Sequence, residues 1–279
     1  MKNTGFIILV LSVLAAIGWT VSTPDALQID PPVEKLTLTG SSTIAPLAAE
    51  IGKRFESLHP GARIDVQSGG SSRGIGDART GLADIGLASR ALKADESDLH
   101  AHTIALDGIA LIINQSNPIP KLDRKQIVEI FTGKINNWRD VGGTDAPITV
   151  VNKAEGRSTL ELFLQFFGLQ GTDVKPHVII GDNQQGIKTV AGNANAIGYV
   201  SIGSAAYEAE HGAPIKLLPL DDAEATIDNV RNGLFPLSRP LNLVTHGKPS
   251  GLAESFIEFA QSDQVHDLIE AQYFVPIFR

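Results

Sequence analysis

The sequence predicts a mixed α/β fold in which a largely parallel sheet is flanked by helices. Strand-like and helix-like segments alternate along the chain, which is typical of such a sheet. The apolar run Ile104–Asn114 fits a strand that is buried on both faces. Apolar residues make up 43% of the chain, and no low-complexity segment or fixed-period repeat is visible. We therefore expect a sizeable core in one large domain or two lobes.

The first α/β unit follows a proline-rich joint at Pro31 and Pro32. Its predicted order is strand, glycine turn, helix, strand, Gly/Ser loop, helix and strand. These elements are Leu36–Thr39, Gly40–Pro46, the helix through His59, Ala62–Gln67, Ser68–Gly76, the helix to Thr80, and Ala83–Ala88. The repeated strand, turn and helix favour parallel pairing of the strands.

A second α/β unit begins after Asn114. Asp123 stands at the N-cap position of an apolar-periodic helix that ends at Phe131. The remaining predicted elements are a strand at Ile148–Val151, a helix at Ser158–Phe167, strands at Ala196–Val200 and Pro240–Thr245, and a terminal helix at Gly251–Ala260.

An apolar segment at the N-terminus predicts export. Lys2 precedes a mostly apolar run of about 16 residues, Phe6–Val21, which is shorter than the ~20 residues of a spanning helix. We expect residues 1–26 to hold a signal peptide, or alternatively an uncleaved anchor at the inner membrane. Because the chain has no cysteine, a lipidated N-terminal Cys, disulfides and thiolate metal sites are excluded. Export without disulfides indicates a bacterial periplasm.

The net charge and the positions of the histidines indicate which classes of ligand and partner are disfavoured. The formal net charge of -8 disfavours nucleic acid and anionic membrane surfaces as partners. An acidic protein that binds an anion must attract it with local donors rather than with its overall field. Of the seven histidines only His100 and His102 lie close together, which we interpret as a solvated turn rather than a metal site. No cofactor is predicted.

Three Gly/Ser/Thr loops lie where a predicted strand ends and a helix starts: Gly40–Thr43, Ser68–Gly74 and Gly156–Thr159. Helix N-termini leave backbone N–H groups unpaired and carry a partial positive charge, so each loop is suited to an anion. Three such loops converging would replace the water shell of a tetrahedral oxyanion. The alternative for each loop is an ordinary N-cap. Four cations lie in or near the loops and are candidates to pair with the anion or with surface carboxylates: Arg73, Arg90, Lys153 and Arg157.

The second loop also matches the G-x-S-x-G elbow of serine hydrolases, with Ser72 as the nucleophile between Gly70 and Gly74. Several histidines follow in the order that a catalytic triad requires: His177, His211, His246 and His266. Against this interpretation, no HGGG-type oxyanion segment precedes the loop. A hydrolase requires a histidine ring within hydrogen-bond reach of Ser72.

Asp107 lies inside the apolar run Leu106–Ala110. A plain turn at a strand end is one interpretation. A functional carboxylate would either accept a hydrogen bond from a protonated ligand or orient a neighbouring arginine. The first of these roles favours phosphate over sulfate, because sulfate has no proton to donate.

Nine short segments between Leu36 and Pro276 carry a resemblance to a known family. The segments are TGSST (39–43), SGGSSRGI (68–75), ADIGLASR (83–90), LDGIALIIN (106–114), QIVEIFTGKINNW (126–138), EGRST (155–159), AIGYV (196–200), PLSRPL (236–241) and FVP (274–276). In their order and spacing together they resemble the periplasmic phosphate-binding proteins of ABC-type phosphate transporters, which makes the resemblance specific.

The resemblance implies a two-lobed clamshell of the type II-like kind that holds phosphate in the cleft. Residues 34–110 and 241–279 would form one lobe and residues 111–240 the other, with crossings near 107–114 and 238–245. It also implies a non-enzymatic monomer that delivers phosphate to a membrane permease. The implied ligand-binding residues are Ser42, Thr43, the Ile44 amide, Ser71, Ser72, Ser89, Arg90, Asp107, Lys153, Arg157, Ser158 and Thr159.

One loop departs from the family's usual run, R-x-x-G-S-G-T. Lys153 takes the Arg position, and Arg157 and Ser158 take the Ser and Gly positions. Arginine binds two anion oxygens in a fork, whereas lysine acts as a point charge. Arg157 either supplies the lost fork or fills the site and alters binding. A member with a changed ligand and a signalling or scaffolding role is therefore an alternative.

Overall fold

The computed structural model describes residues 33–277. The predicted signal peptide or anchor at residues 1–26 lies outside this range, so it stays a prediction. None of the helices in the described range is long and apolar enough to cross a membrane.

Ten strands form one mixed sheet in the order β2-β1-β3-β9-β4-β7-β5-β6, with β8 and β10 also paired to β4. They are β1 Glu34–Gly40, β2 Ala62–Ser68, β3 Ile85–Ala88, β4 Leu99–Asn114, β5 Thr149–Lys153, β6 Val178–Ile180, β7 Ala196–Ser201, β8 Ile215–Leu217, β9 Ser238–His246 and β10 Val275–Pro276.

Nine α-helices accompany these strands in the described chain. They are α1 Ala45–Leu58, α2 Ser71–Thr80, α3 Arg124–Phe131, α4 Ser158–Phe167, α5 Asn183–Ala191, α6 Ile202–Glu210, α7 Ile227–Arg231, α8 Gly251–Ala260 and α9 His266–Ala271. Short 3₁₀ turns lie at Ala94–Glu96, Trp138–Val141, Gly171–Asp173 and Asp263–Val265. The predicted mixed α/β sheet flanked by helices is confirmed.

The sheet is parallel towards its two edges and antiparallel at its centre. β1 pairs in parallel with β2 and β3, and β5 does so with β6 and β7. The long strand β4 pairs antiparallel with β9 and β7 and joins the two parallel parts. The carboxyl ends of the parallel strands carry the polar loops, as expected for ligand sites in α/β folds.

Two large apolar cores lie on either side of a boundary that crosses β4 and β9. The first core ends at Ala105 on β4 and includes Leu241 on β9. The second core begins at Ile109 on β4 and includes Leu237, just before β9. We call the elements around the first core (β1–β3, α1, α2, α8 and α9) the first half, and those around the second (β5–β8 and α3–α6) the second half.

The register of β4 and β9 places Asp107 directly opposite Arg239 at this boundary. Directly opposed residues in an antiparallel pair have Cβ atoms about 4.5–5.5 Å apart, so their side chains interact. Two charged residues far apart in sequence are therefore brought together between the two cores.

Two local predictions were wrong. His100 and His102 lie on β4 opposite Thr245 and Leu243, not in a turn. Apolar and polar residues alternate over Leu99–His102, and this two-residue period, of which the H-x-H pair is part, is typical of a strand. Helix α2 begins at Ser71, inside the predicted Gly/Ser loop, because Gly70 at φ 100° ends the extended chain and lets the helix start at once.

Candidate functional site

The three predicted loops meet, and hydrogen bonds between their hydroxyls and that of Ser89, which follows β3, connect them. Ser41 Oγ donates to Ser89 Oγ at 2.9 Å, and Ser71 Oγ donates to Ser158 Oγ at 3.0 Å. The Ser89 and Ser158 hydroxyls are 2.6 Å apart. These residues and two threonines form what we call the hydroxyl cluster: Ser41, Thr43, Ser71, Ser89, Ser158 and Thr159, each at most 4% exposed. Residues 87 positions apart in sequence, such as Ser71 and Ser158, thus share one buried polar site.

Two glycines allow the strands and α2 to approach this cluster. A Cβ on Gly40 would lie 2.3 Å from the Leu87 carbonyl oxygen, and one on Gly74 would lie 2.4 Å from the Thr39 carbonyl oxygen. Gly40 also has φ +136°, which other residues rarely adopt. The start of α2 can therefore sit directly against the ends of β1 and β3, which places Ser71 beside Ser89.

The centre of the site is an ion pair between Arg239 and Asp107, whose side chains are 1% and 0% exposed. Asp107 Oδ2 accepts hydrogen bonds from Arg239 Nε at 3.1 Å and from Nη2 at 2.8 Å. Asp107 Oδ1 accepts from the Gly203 N–H at 3.2 Å. Both carboxylate oxygens are therefore engaged. Of the roles predicted for Asp107, this geometry matches the orientation of a neighbouring arginine.

The other side of the Arg239 guanidinium donates to the hydroxyl cluster. Nη1 donates to Thr159 Oγ1 at 2.9 Å and, at a longer 3.4 Å, to Ser89 Oγ. Nη2 donates to Thr43 Oγ1 at 3.3 Å. A guanidinium has five donors in a fixed plane, so one arginine can hold Asp107 and still face three hydroxyls.

Lys153 lies at the end of β5 and is 3% exposed. Its Nζ donates to Asn183 Oδ1 at 2.8 Å, and Asn183 Nδ2 donates to Thr43 Oγ1 at 3.1 Å, which connects the lysine to the cluster. Burial, together with the nearby charge of Arg239, lowers the pKa of Lys153 to about 7. Asp182, which caps α5, opposes this shift and Arg157 reinforces it. The lysine is thus a buried amine that a neighbouring anion would hold in its charged form.

Arg157 precedes α4 and is half-buried. Its Cδ lies 3.0 Å from the position that a Cβ on Gly70 would take, so its side chain crosses the start of α2. Within residues 33–277 no carboxylate forms an ion pair with Arg157 or with Lys153. Two basic side chains beside the hydroxyl cluster therefore have no carboxylate in ion-pair contact within the described chain, although Asp182 favours the charged form of Lys153 from a greater distance.

Two predicted ligand residues point away from the cluster. Arg90 donates to Glu96 from Nη1 at 2.7 Å and from Nη2 at 2.8 Å. Its Nε also lies 3.1 Å from Glu161 Oε2. Ser72 is exposed, and its Oγ donates to Glu161 Oε1 at 2.9 Å. Arg73, the remaining candidate cation, pairs with Asp77 on its own helix.

The first loop supplies one further wall. The Ile44 N–H donates to the Ser41 carbonyl at 3.2 Å, so this amide closes a turn. Ser42 lines a cavity of about 360 Å³ that reaches Thr43 and Asn183 at the edge of the cluster. This volume falls within the range of ordinary small-ligand pockets.

The geometry around Ser72 differs from that of a serine hydrolase. Its hydroxyl bonds to a carboxylate, not to an imidazole. His177 Nδ1 accepts from the Val150 N–H at 3.0 Å, and His211 stacks on Tyr207. These contacts use two of the four candidate histidines elsewhere in the fold.

The chain matches the PBP superfamily domain over residues 26–264. It belongs to the PBP superfamily. Among curated relatives, the phosphate-binding protein PstS of Bacillus subtilis is 28% identical over 247 residues, which cover 87% of this chain and 80% of the relative. The family resemblance that the sequence motifs carry is confirmed.

Two solved structures of this kind are similar over nearly the whole described chain. A substrate-binding protein assigned to a phosphate ABC transporter of Clostridium perfringens, solved with bound phosphate, has a TM-score of 0.81 at 32% identity. An ABC-type phosphate transport receptor from Vibrio cholerae has a TM-score of 0.71 at 30% identity. Each comparison covers 88% of this chain and 100% of the other.

Sequence reasoning missed three residues at the site of this PBP superfamily member: Arg239, Ser41 and Asn183. The sequence held a signal for Arg239: it is a charged residue next to the predicted strand Pro240–Thr245, just as Asp107 is a charged residue within an apolar run. Ser41 lies in the predicted loop Gly40–Thr43, but the backbone of the turn decides which hydroxyls of that loop face the site, and the sequence does not specify it. Asn183 follows an ordinary helix cap and carried no signal.

Proposed function

We propose that this protein binds inorganic phosphate between its two halves and delivers it to the membrane permease of an ABC importer. The observation that carries the proposal is the pair of basic side chains, Lys153 and Arg157, which have no carboxylate partner in the described chain and lie beside six buried hydroxyls. Relatives of this chain are named phosphate-binding proteins, and one structural neighbour holds bound phosphate.

The charges of the site explain how an acidic protein attracts an anion. Asp107 neutralises Arg239, so that pair contributes little net field. Arg157 and the protonated form of Lys153 supply the remaining positive charge, and the hydroxyls supply donors without formal charge. Hydrogen bonds from these groups to an oxyanion are charge-assisted and stronger than hydroxyl–hydroxyl bonds.

Phosphate entry requires the two halves to move apart. Ser89 and Ser158 oxygens are 2.6 Å apart. Donors on opposite sides of a tetrahedral oxyanion stand roughly 4–7 Å apart when each hydrogen bond has normal length. The donors come from both halves, so a hinge movement where β4 and β9 cross the boundary widens the site. We assign residues 34–110 and 241–279 to one lobe and 111–240 to the other.

Within this proposal Arg239 supplies the fork that the Lys153 loop lacks, and Lys153 and Arg157 act as cationic walls. Ser41, Thr43, Ser71, Ser89, Ser158 and Thr159 are the donors. The protein makes and breaks no bond. We further propose that it is an exported, periplasmic monomer, in keeping with the apolar N-terminal segment and the lack of cysteine.

The test is calorimetric titration of the purified protein with phosphate, sulfate and molybdate. We expect heat with phosphate and a loss of affinity of at least tenfold in Lys153→Met. Lys188→Met, which removes an exposed lysine from α5, is the matched control and should bind normally. No heat with millimolar phosphate refutes the proposal, and a preference for another oxyanion identifies a changed ligand.

A further inference from the structure

We propose that Glu161 is a latch: its carboxylate on α4 binds Ser72, Arg90 and Lys93 of the opposite half and so sets how long the anion stays at the hydroxyl cluster. This inference rests on the proposed function, because it assigns a positioning residue to the same site. Glu161 itself does not touch the anion in this scheme.

The Glu161 carboxylate makes three contacts. Oε1 accepts from Ser72 Oγ at 2.9 Å. Oε2 lies 2.7 Å from Lys93 Nζ and 3.1 Å from Arg90 Nε. A single acidic side chain thus joins a hydroxyl and two cations.

All three partners lie on the other side of the boundary from Glu161. Glu161 lies on α4, in the second half, because Leu160 and Phe163 of the same helix belong to the second core. Ser72 is in the first turn of α2, and Arg90 and Lys93 follow β3, all in the first half. Hinge movement that separates the halves must therefore break every contact of the latch.

A second contact lies on the same seam. The Ser72 N–H donates to the Gly156 carbonyl at 3.2 Å, in the loop that precedes α4. Ser71 precedes Ser72, and Ser158 comes two residues after Gly156, and both serines belong to the hydroxyl cluster. The latch therefore borders the proposed anion site, and its formation brings the cluster donors of both halves together.

The latch is built to release without leaving a buried charge alone. Arg90 holds Glu96 of its own half through two hydrogen bonds, so it stays paired when Glu161 departs. Glu161 is about one-quarter exposed in its side chain, so water reaches it on opening. Burial alone would raise the pKa of Glu161, but the close ammonium of Lys93, the hydrogen bond from Ser72 and the charge of Arg90 lower it, which keeps the carboxylate ionised.

The first experiment measures phosphate binding kinetics by stopped flow for Glu161→Gln. We expect dissociation about five- to tenfold faster with association changed less than twofold, because mutations within one interface act mainly on the off-rate. Asp98→Asn is the matched control, since it removes the Arg79–Asp98 ion pair within the first half, and both rates should match the wild type. Lys93→Met removes a partner of Glu161 in the first half and should also speed dissociation. The double variant should dissociate less fast than the product of the two single effects predicts, because both changes remove the same contact.

The second experiment measures the separation of the halves directly, without ligand. The chain has no cysteine, so Leu82→Cys and Ile179→Cys, at side chains 75% and 65% exposed in opposite halves, give unique sites for a fluorescent pair. Glu161→Gln should shift the distance distribution outward. Unchanged dissociation and unchanged distances overturn the latch. If the wild type binds no phosphate, the proposed function fails while the distance measurement still decides the latch.

Discussion

The Arg239–Asp107 pair offers the most direct test of how the site is held together. Arg239→Met removes the guanidinium but keeps a long apolar side chain. Asp107 would then retain only the Gly203 N–H among its present partners. Thr43 and Thr159 would each lose a charged donor.

The magnitude follows from burial. The side chains of the pair are 1% and 0% exposed, so water does not replace the lost partner. Breaking such a pair by removing one member costs about 3–5 kcal/mol, since it leaves a buried charge uncompensated. The lost hydrogen bonds act on the same groups, so we do not add them separately. Asp107→Asn should cost a similar amount, because it leaves Arg239 facing the basic Lys153.

The assay is urea unfolding followed by circular dichroism at constant pH and ionic strength, for both single variants and the double variant. If the charges stabilise each other, the double variant should be less destabilised than the sum of the singles by about 1–3 kcal/mol. The slope of the free energy of unfolding against urea should stay constant. A loss below about 1 kcal/mol in either single variant, or full additivity, refutes this account of the site.

Two further predictions concern stability. The unfolded state binds more protons than the folded state between about pH 7 and 10.5, because burial lowers the pKa of Lys153 to about 7. The free energy of unfolding of the wild type, measured with urea, should therefore rise relative to that of Lys153→Met by at most about 5 kcal/mol between pH 7 and 10.5. If the free energies of unfolding of the two proteins change in parallel with pH, the prediction is contradicted. Gly74→Ala should cost about 1–3 kcal/mol in thermal unfolding, because its Cβ would lie 2.4 Å from the Thr39 carbonyl oxygen. Gly76→Ala on the same helix, with nothing within 4 Å, should stabilise by about 0.5–1 kcal/mol, and equal effects of the two changes would contradict the packing argument.

The meeting of the first two hydroxyl loops was predictable from sequence, because they follow the parallel strands β1 and β2 and the carboxyl ends of parallel strands meet at one edge of a sheet. The third loop follows β5, which runs opposite to β1 and β2, so it reaches the site from the second half and the same rule does not predict its position. The two-residue and 3.6-residue periods likewise identified most strands and helices. The start of α2 was missed because Ser and Gly have weak helix preference, and there the local contact between Gly74 and β1 decides.

The pairing of Asp107 with Arg239 was not predictable. These residues are 132 positions apart, and only the register of β4 against β9 makes them opposite. The direction of the Arg90 side chain was equally unpredictable, although the family motif implied that Arg90 binds the ligand in the cleft. A glutamate six residues later, Glu96, draws its guanidinium away. Composition and spacing predict which loops gather, but not which cation among several turns inward.

The hydroxyl–hydroxyl bonds of the cluster have a thermodynamic consequence. An entering oxyanion exchanges one set of hydrogen bonds for another, so the number of bonds changes little and their strength changes more. Neutral bonds, such as the one between Ser71 and Ser158 at 3.0 Å, are replaced by charge-assisted ones. The binding enthalpy therefore reports a difference between two bonded networks. Removing one hydroxyl weakens both sides of that exchange, so single Ser→Ala changes should alter affinity less than the count of lost ligand contacts suggests.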